Sequence, residues 1–265
     1  MPTSKLTRRT FLRQSALGAA AMTAGVAAAD TSDFSFLVIN DTHWLDENCS
    51  DYLTGAFSYL RAAHDYRFVL VVGDLATGGA VKELRGMADA LVQLGAPAYP
   101  VMGNHDYAAE KATWVEVFGP RRLNYRFDYH GWTFLGLDST EEAKYQEMSV
   151  QPETIDWLRT ALTRIPASRP TVAFTHFPLG NDVAMRPDNA DDVLKLFEGH
   201  NLKHVFNGHF HGLTERQIGD ATATTCACLA NSRGNHDGTA AKGCLLATVS
   251  SGELSYKFVE YKQGV

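Results

Sequence analysis

The sequence lacks the runs and motifs that mark several classes of protein. No apolar run reaches the roughly 20 residues that a membrane-spanning helix needs. No His-Glu-x-x-His motif of a zinc peptidase is present, and the cysteines show no Cys-x-x-Cys spacing of a zinc or redox site. With 45% hydrophobic and 20% charged residues in 265, the composition is that of a globular protein. Collagen-like, coiled-coil and disordered classes are therefore excluded.

Acidic residues are absent before Asp30. The segment that precedes it begins with basic residues, among them the pair Arg8-Arg9, and continues with an uncharged, alanine-rich run over residues 16–29. A basic start, a short apolar run and a small-residue end are typical of an export signal. Adjacent arginines before Phe-Leu resemble a twin-arginine signal.

This pattern predicts a two-part chain. We expect residues 1–29 to be a twin-arginine-type signal peptide, cleaved near Ala29, and residues 30–265 to form one domain. The twin-arginine translocase is then the partner during export, and the mature protein is periplasmic or extracellular. At 14 residues, the apolar run is too short for a stable membrane anchor.

Basic residues are scarce in the predicted mature chain. Four of the 24 lie in the signal segment, which leaves 20 basic residues against all 30 acidic ones, a net charge near −10. No run of Lys or Arg occurs there. A nucleic-acid polymer or an anionic membrane surface is not an expected partner, because neither would be attracted electrostatically. The sequence does not predict an oligomeric state.

The cysteines leave two interpretations open. Export would permit disulfides. Cys226 and Cys228 would share one face of a strand, and Cys244 begins the next apolar run, so one bridge there is the first interpretation. The second is that these three and Cys49 are buried free thiols.

Short apolar runs alternate with longer helical patterns. Strands are predicted at Phe34–Ile39, Phe68–Val72, Ala98–Met102, Asn124–Tyr129, Thr133–Leu137, Val172–Thr175, His204–Asn207, Thr222–Leu229, Cys244–Val249 and Leu254–Glu260. Helices are predicted at Asp51–His64, Ala80–Leu94, Ala109–Phe118, Glu153–Ile165 and Ala190–Glu198. Early βα units followed by antiparallel strands predict an α/β fold with two mixed sheets and helices outside both.

Polar side chains follow five of these strands, at the point where each strand ends. Ligands collect beyond the carboxyl ends of strands in sheets with βα connections, so the fold would bring these side chains together. The short motifs are Asp41-Thr42-His43, Gly73-Asp74, Gly103-Asn104-His105-Asp106, His176 and Gly208-His209-Phe210-His211.

The side-chain types point to metal binding. Carboxylate, imidazole and amide oxygen without thiolate suit Mn, Fe, Zn or Co. Eight ligand positions are too many for one tetrahedral ion and suit two ions that share a carboxylate, about 3.5–4 Å apart. The glycines at 73, 103 and 208 would let the backbone turn sharply and approach a ligand closely.

The order of these motifs resembles that of the calcineurin-like metallophosphoesterases. The resemblance covers Asp41 to His211, and it implies a four-layer αββα sandwich and two divalent or trivalent metal ions. Asp74 would bridge the two ions. The first ion would be held by Asp41, His43 and His211, and the second by Asn104, His176 and His209.

The same resemblance implies a reaction. A hydroxide between the ions would attack the phosphorus of a small phosphate-ester substrate, in line with the leaving oxygen. His105 would protonate that oxygen or stabilise the transition state, with Asp106 orienting its ring. Purple acid phosphatases carry a tyrosine ligand three residues after the aspartate of Gly-Asp; Thr77 occupies that position here, which excludes that subfamily. Gly73-Asp74-Leu75 and the order of the later elements resemble the phosphodiesterase branches instead.

Gly-Asn-His-Asp occurs a second time, at 234–237, within a loop-like composition. The first copy follows an apolar run, so we assign the metal role to it. The second copy has two interpretations, a solvated loop or a wall of the substrate pocket with Asn231, Arg233 and His236 as substrate contacts. Specificity is expected to reside in loops at 44–50, 180–189 and 231–242.

Three functions compete on this sequence. A phosphodiesterase is slightly favoured, a phosphomonoesterase of the same fold is the alternative, and a non-catalytic binding module is more remote, because every expected ligand is present. The remaining histidines are interpreted as surface residues. They are His64, His130, His200 and His204.

Overall fold

The structure is a computed structural model that describes residues 32–107 and 111–264. The predicted signal segment, 1–29, lies outside the described residues. None of the helices in the described part is long and apolar enough to cross a membrane.

Eleven strands and five α-helices make up the described fold. The strands are β1 Phe34–Ile39, β2 Val69–Val72, β3 Ala98–Val101, β4 Tyr125–Tyr129, β5 Trp132–Leu137, β6 Thr171–Thr175, β7 Leu202–Asn207, β8 Thr214–Ile218, β9 Ala221–Thr225, β10 Gly243–Ser250 and β11 Glu253–Glu260. The helices are α1 Glu47–Ala63, α2 Val81–Leu91, α3 Ala112–Phe118, α4 Pro152–Leu162 and α5 Ala190–Lys195.

The strands form two mixed sheets. The first sheet has the order β11-β10-β1-β2-β3, and the second has the order β4-β5-β6-β7-β9-β8. In the first sheet β1, β2 and β3 are parallel, and in the second β5, β6, β7 and β9 are parallel. The carboxyl ends of the parallel strands therefore meet at one edge of each sheet.

Alternating side chains divide the interior into three apolar layers. In β1, Phe36 packs between the two sheets, whereas Leu37 packs beneath the helices α1 and α2. In β6, Phe174 packs between the sheets and Ala173 faces α4 and α5. Each sheet is thus apolar on both faces, which requires cover on both sides. The predicted four-layer αββα sandwich of two mixed sheets is confirmed.

Several predicted boundaries are wrong for local reasons. Helix α1 begins at Glu47, four residues earlier than predicted, because Asp46 caps it by accepting hydrogen bonds from two backbone amides. Strand β8 was not predicted, since its sequence Thr-Glu-Arg-Gln-Ile is polar and it lies at a sheet edge. Strand β9 ends at Thr225, not Leu229.

All four cysteines are buried free thiols. Cys226 packs between the two sheets, whereas Cys244 packs on the helix side of the first sheet. A bridge between them is ruled out by this placement, because a disulfide needs its two Cβ atoms on one side.

The interpretation of His204 as a surface residue is wrong. Its side chain is 2% exposed, its Nε2 lies 3.0 Å from the Thr224 hydroxyl, and its ring lies 4.1 Å from that of Phe206. Burial disfavours the charged imidazolium and lowers the pKa of His204 to about 3.

This burial predicts an acid-sensitive contribution to stability. The unfolded chain binds a proton at His204 below about pH 6.5, whereas the folded chain stays neutral down to about pH 3. Stability is therefore lost as pH falls through this window, by about 2 kcal/mol at pH 5. Urea unfolding at pH 8 and pH 5 should give a smaller acid loss for His204→Gln than for the wild type.

His200→Gln removes a less buried histidine and controls for the loss of a histidine as such. Equal acid losses in the wild type and His204→Gln would contradict the assignment.

Candidate metal centre

The seven predicted ligands meet where the carboxyl ends of strands from both sheets approach each other. Asp41 and His43 follow β1, Asp74 follows β2 and Asn104 follows β3 in the first sheet. The second sheet contributes the remaining imidazoles: His176 follows β6, and His209 and His211 follow β7.

One group of side chains could hold a metal ion near β1. Its potential ligand atoms lie within 4.8 Å of one another and belong to Asp41, His43, Asp74 and His211. The Asp41 Oδ1 atom lies 2.9 Å from His211 Nε2, and the Nε2 atoms of His43 and His211 lie 3.3 Å apart.

A second group shares Asp74 with the first. It joins Asp74 to His176 and His209, again within 4.8 Å. Asp74 Oδ1 lies 3.3 Å from His176 Nε2, while Oδ2 lies 3.6 Å from His43 Nε2 in the first group. Asn104 Oδ1 lies 3.1 Å from His176 Nε2 and completes this side. The single carboxylate of Asp74 thus faces both groups.

The backbone of these residues is strained. Eleven non-glycine residues of the described chain have positive φ, and five of them belong to the two groups. Such conformations cost of order 1–3 kcal/mol each and collect at functional sites. The five are Asp41, His43, Asp74, His209 and His211, with φ between 45° and 63°.

Two of the predicted glycines are required by close approach. Gly73 has φ +90°, and a Cβ there would lie 2.3 Å from Nδ1 of His176. A Cβ on Gly103 would lie 2.3 Å from Oδ1 of Asp74. Both distances are far inside van der Waals contact, so any side chain would displace a ligand.

Backbone carbonyls orient three of the four imidazoles. His176 Nδ1 donates to Val72 O at 3.0 Å, His209 Nε2 to Tyr145 O at 2.8 Å, and His211 Nδ1 to Gly234 O at 3.0 Å. Each of these hydrogen bonds assigns the proton of the neutral ring to its outer nitrogen. In the neutral form of these rings the other nitrogen is therefore a lone pair that a cation can occupy in place of a proton, as in metal-ligating histidines.

This donor set fits cations. Ring nitrogens of different histidines lie close together: His209 Nδ1 is 3.1 Å from His176 Nε2, and His43 Nε2 is 3.3 Å from His211 Nε2. His43 Nδ1 is buried without a hydrogen-bond partner. Nitrogen and oxygen donors converging on buried carboxylates are the ligands that borderline divalent metals prefer.

The buried carboxylates of Asp41 and Asp74 also shift the pKa values of the neighbouring histidines. Burial alone would lower the pKa of His211, but the adjacent Asp41 carboxylate more than offsets it and raises the pKa to about 11. Burial also opposes the charged form of His176, whereas Asp74 raises its pKa to about 9. Burial lowers the pKa of His43 to about 4. The two carboxylates thus stabilise positive charge at two positions, beside His211 and beside His176.

His105 lies beside the first group without belonging to it. Its ring lies 4.8 Å from that of His43, and its Nδ1 donates to Thr77 O at 2.7 Å. This bond leaves Nε2 as the ring nitrogen available to a substrate. Thr77, which stands where purple acid phosphatases carry tyrosine, also donates its hydroxyl to His43 O at 2.9 Å.

The expected role of Asp106 needs correction. Its carboxylate does not orient the His105 ring but accepts hydrogen bonds from the backbone amides of Ala76 at 2.7 Å and Gly103 at 2.9 Å. The side chain is fully buried. Burial and the Asp74 charge raise the pKa of Asp106 to about 7. Asp106 ties the turn at 103–106 to the loop after β2, and Thr77 holds the ring instead.

The second Gly-Asn-His-Asp copy braces the ligand loop after β7. His236 N donates to His211 O at 3.2 Å, and Gly234 O accepts a hydrogen bond from Nδ1 of His211. Asn235 does not ligate, because its amide accepts from Cys228 N at 3.1 Å and donates to Ala241 O at 2.7 Å. This copy therefore differs from Asn104, whose oxygen faces the second group.

A cavity of about 560 Å³ opens onto both groups. Arg233 and His236 line it, as the substrate-pocket interpretation predicts. Asn231 is exposed and lies outside the lining, so its assignment is not supported by the structure. Tyr145 and Met185 also line the cavity. Met185 falls in a predicted specificity loop, but Tyr145 comes from the segment after β5, where no motif signals a pocket.

Comparisons with known proteins agree with this geometry. The family described as "Calcineurin-like phosphoesterase" matches residues 34–213. The glycerophosphodiester phosphodiesterase GpdQ of Enterobacter lignolyticus is 28% identical over 214 residues, which cover 71% of this chain and 74% of that protein. A probable cyclic nucleotide phosphodiesterase of Rhodopseudomonas palustris is 30% identical over 158 residues, covering 54% of this chain and 57% of that protein.

Solved structures share the fold. A dimetal phosphatase from Danio rerio superposes with a TM-score of 0.68 at 15% identity, covering 85% of this chain and 95% of its own. A purple acid phosphatase from yellow lupin superposes with a TM-score of 0.63 at 12% identity, covering 88% of this chain and 53% of its own. The family match spans more than half of the sequence and contains every residue of the two groups. The chain therefore belongs to the calcineurin-like phosphoesterase family and is a metal-dependent hydrolase of phosphoric esters.

Proposed function

We propose that this protein hydrolyses a phosphodiester at a centre of two metal ions. The observation that carries the proposal is the carboxylate of Asp74, which faces both groups of potential ligands. A carboxylate shared between two ions is typical of two-metal hydrolases. Asp41, His43 and His211 would hold the first ion, and Asn104, His176 and His209 would hold the second.

When bound, the ions would supply Lewis acidity, which polarises the phosphoryl group and makes water more acidic. The Nδ1 proton of His105 is donated to Thr77 O, which leaves Nε2 for the substrate. A ring that also carries a proton on Nε2 would pass that proton to the leaving oxygen and become neutral. Asp106 keeps the turn at 103–106 in place for both Asn104 and His105. Arg233 and His236 would contact the substrate from the cavity wall.

Two observations favour a diester over a monoester. The curated relatives named above are phosphodiesterases by name. The cavity also extends beyond the ligands to Tyr145, Met185 and residues 233–236, which leaves room for a second substituent on phosphorus. A phosphomonoesterase is the alternative, and a non-catalytic binding module would not require the full ligand set with His105.

We also propose export of the protein. The basic, then alanine-rich composition of residues 1–29 supports a twin-arginine-type signal, followed by one domain from 30 to 265 in the periplasm or outside the cell. That route carries folded proteins, so the metals could be acquired before translocation. The test is a variant in which Arg8 and Arg9 are both replaced by Lys. Continued export of folded, active protein by this variant would contradict the proposal.

The phosphodiesterase proposal is tested with the purified protein and manganese. We expect metal-dependent release of nitrophenol from bis(4-nitrophenyl) phosphate, faster than from 4-nitrophenyl phosphate, because the cavity accommodates two substituents. Chelator-treated protein is the control. A faster monoester reaction would identify a phosphomonoesterase. No turnover with Mn, Fe, Zn or Co, despite two bound ions per chain, would favour the binding module.

A further inference from the structure

Arg233 is an unpaired cation at the substrate cavity. Among the described residues that line the cavity it is the only lysine or arginine, and it is half-buried. Within the described parts of the chain, its guanidinium makes no hydrogen bond, ion pair or ring contact. Arginine presents five donors in a fixed fork that matches carboxylate and phosphate oxygens.

Neighbouring arginines do not share this property. Arg186, beside Met185, donates to Leu179 O at 3.0 Å and pairs with Asp191. Arg216 donates to Asn181 O at 3.0 Å. Both guanidinium groups are thus occupied in holding loops together, and neither lines the cavity. Of these three arginines, only Arg233 is available to a ligand at the cavity.

The loop that carries Arg233 is held firmly in place. Lys242 Nζ donates to the Arg233 carbonyl and lies 3.0 Å from Cys228 Sγ. The next residue, Gly234, accepts the His211 Nδ1 proton. The backbone position of Arg233 is therefore coupled to His211 of the first group. Because the loop is already held in place, substrate binding does not have to pay the entropy of ordering its backbone.

This anchoring also places the backbone of Arg233 beyond the reacting centre. His211 turns Nε2 towards Asp41 and Nδ1 towards Gly234, so the carbonyl of Gly234 lies on the far side of the ring from the carboxylates. The backbone of Arg233 precedes it on that outer side. A group bound there would belong to a substituent of the phosphoryl centre.

A charge balance points the same way. Asp41 and Asp74 are the carboxylates of the two groups, so two divalent ions would leave a net charge of +2. A phosphodiester and the attacking hydroxide each bring one negative charge and balance it. The Arg233 charge then remains uncompensated in a half-buried place, unless the substrate carries a further anion.

We propose that Arg233 binds a second anionic group, a carboxylate or a phosphate, on the substituent of the phosphodiester substrate. The inference rests on the proposed phosphodiesterase function and narrows its substrate class. Arg233 is then the residue that selects diesters with an acidic substituent over neutral ones.

Two esters that differ at one group test this selection. Propyl 4-nitrophenyl phosphate and 2-carboxyethyl 4-nitrophenyl phosphate share the leaving group, and only the second carries an extra carboxylate. We expect the manganese-loaded protein to favour the carboxylated ester in kcat/KM by roughly 10-fold to 100-fold, because charged hydrogen bonds contribute on that scale. The preference should fall as ionic strength rises.

Variants connect the preference to this side chain. In Arg233→Met the ratio of the two kcat/KM values should fall to about one, and in Arg233→Lys it should keep an intermediate value because the charge remains without the fork. Arg121→Met, an exposed arginine outside the cavity lining, should keep the wild-type ratio. Arg233→Gln is a second variant without the charge. Its thermal melting curve shows whether the protein is still folded, which separates loss of selection from loss of fold.

Each failure has a distinct reading. A wild-type ratio near one or below, or an unchanged ratio in folded Arg233→Met, would overturn the anion site while leaving the phosphodiesterase in place. Failure of the loaded wild type to cleave either ester would overturn the proposed function, and the anion site with it.

Discussion

Asp74→Asn is expected to abolish metal-dependent hydrolysis, lowering kcat by roughly 10³-fold or more. Asp74 is buried, and its two oxygens face different groups, Oδ1 towards His176 and Oδ2 towards His43. An amide offers one oxygen in place of two and carries no charge. The shared ligand of the proposed centre is therefore lost in this variant.

The direction of the new amide can be predicted. The backbone N–H of His105 donates to Oδ1 of Asp74 at 2.9 Å, so the amide oxygen of the variant must occupy that position. The NH2 group then faces His43 and cannot bind a cation. We expect the first ion, beside Asp41 and His211, to be lost before the second.

Metal analysis after gel filtration, together with nitrophenol release, checks this result. Bound metal should fall from two ions per chain to one or fewer. Asp220→Asn, an exposed position in the turn between β8 and β9, is the matched control and should behave as the wild type. Two bound ions and normal turnover in Asp74→Asn would remove Asp74 from the centre.

His105→Gln should lower kcat by about 10²-fold to 10⁴-fold while both ions stay bound. The ring lies beside His43 but outside the two groups, and Thr77 O holds its Nδ1. Glutamine can still donate to Thr77, but it cannot deliver a proton to the leaving oxygen. The defect should therefore concern chemistry and not metal affinity.

The leaving group separates the two roles considered for His105. If its Nε2 protonates the leaving oxygen, the defect grows as the leaving group becomes more basic, from nitrophenol to an aliphatic alcohol. If the ring only stabilises charge on the phosphoryl group, the defect is similar for all leaving groups. His64→Gln, at the end of α1, is the control. A wild-type kcat in His105→Gln would exclude both roles.

Much of the site was predictable because β-strands follow a simple sequence pattern. Buried apolar runs that end in Asp, Asn or His place those side chains at the edge of a sheet, and parallel pairing brings successive edges together. Asp41, Asp74 and Asn104 follow this rule across β1, β2 and β3. The polar edge strand β8 escaped it, because an exposed strand carries no apolar pattern.

Roles that depend on the hydrogen-bond partner of a side chain were not predictable. Adjacency in the chain made Asp106 the natural partner of His105, yet the carboxylate turns to backbone amides and a carbonyl 28 positions away in sequence, at Thr77, holds the ring. Likewise, Asn104 and Asn235 occupy identical motifs, and only their surroundings separate a potential ligand from a loop brace.

The sequence by itself determined the family-level chemistry of this protein: the ligand types, their order along the chain and the strands that end in them. Those features are local, since side-chain identity and alternating hydrophobicity are written residue by residue. Tertiary structure alone decided that carbonyls of distant loops orient the imidazoles, that Thr77 O holds the ring of His105, and that Arg233 stands unpaired at the cavity. These are relations between segments far apart in the chain, and only packing of the two sheets brings such segments within bonding distance.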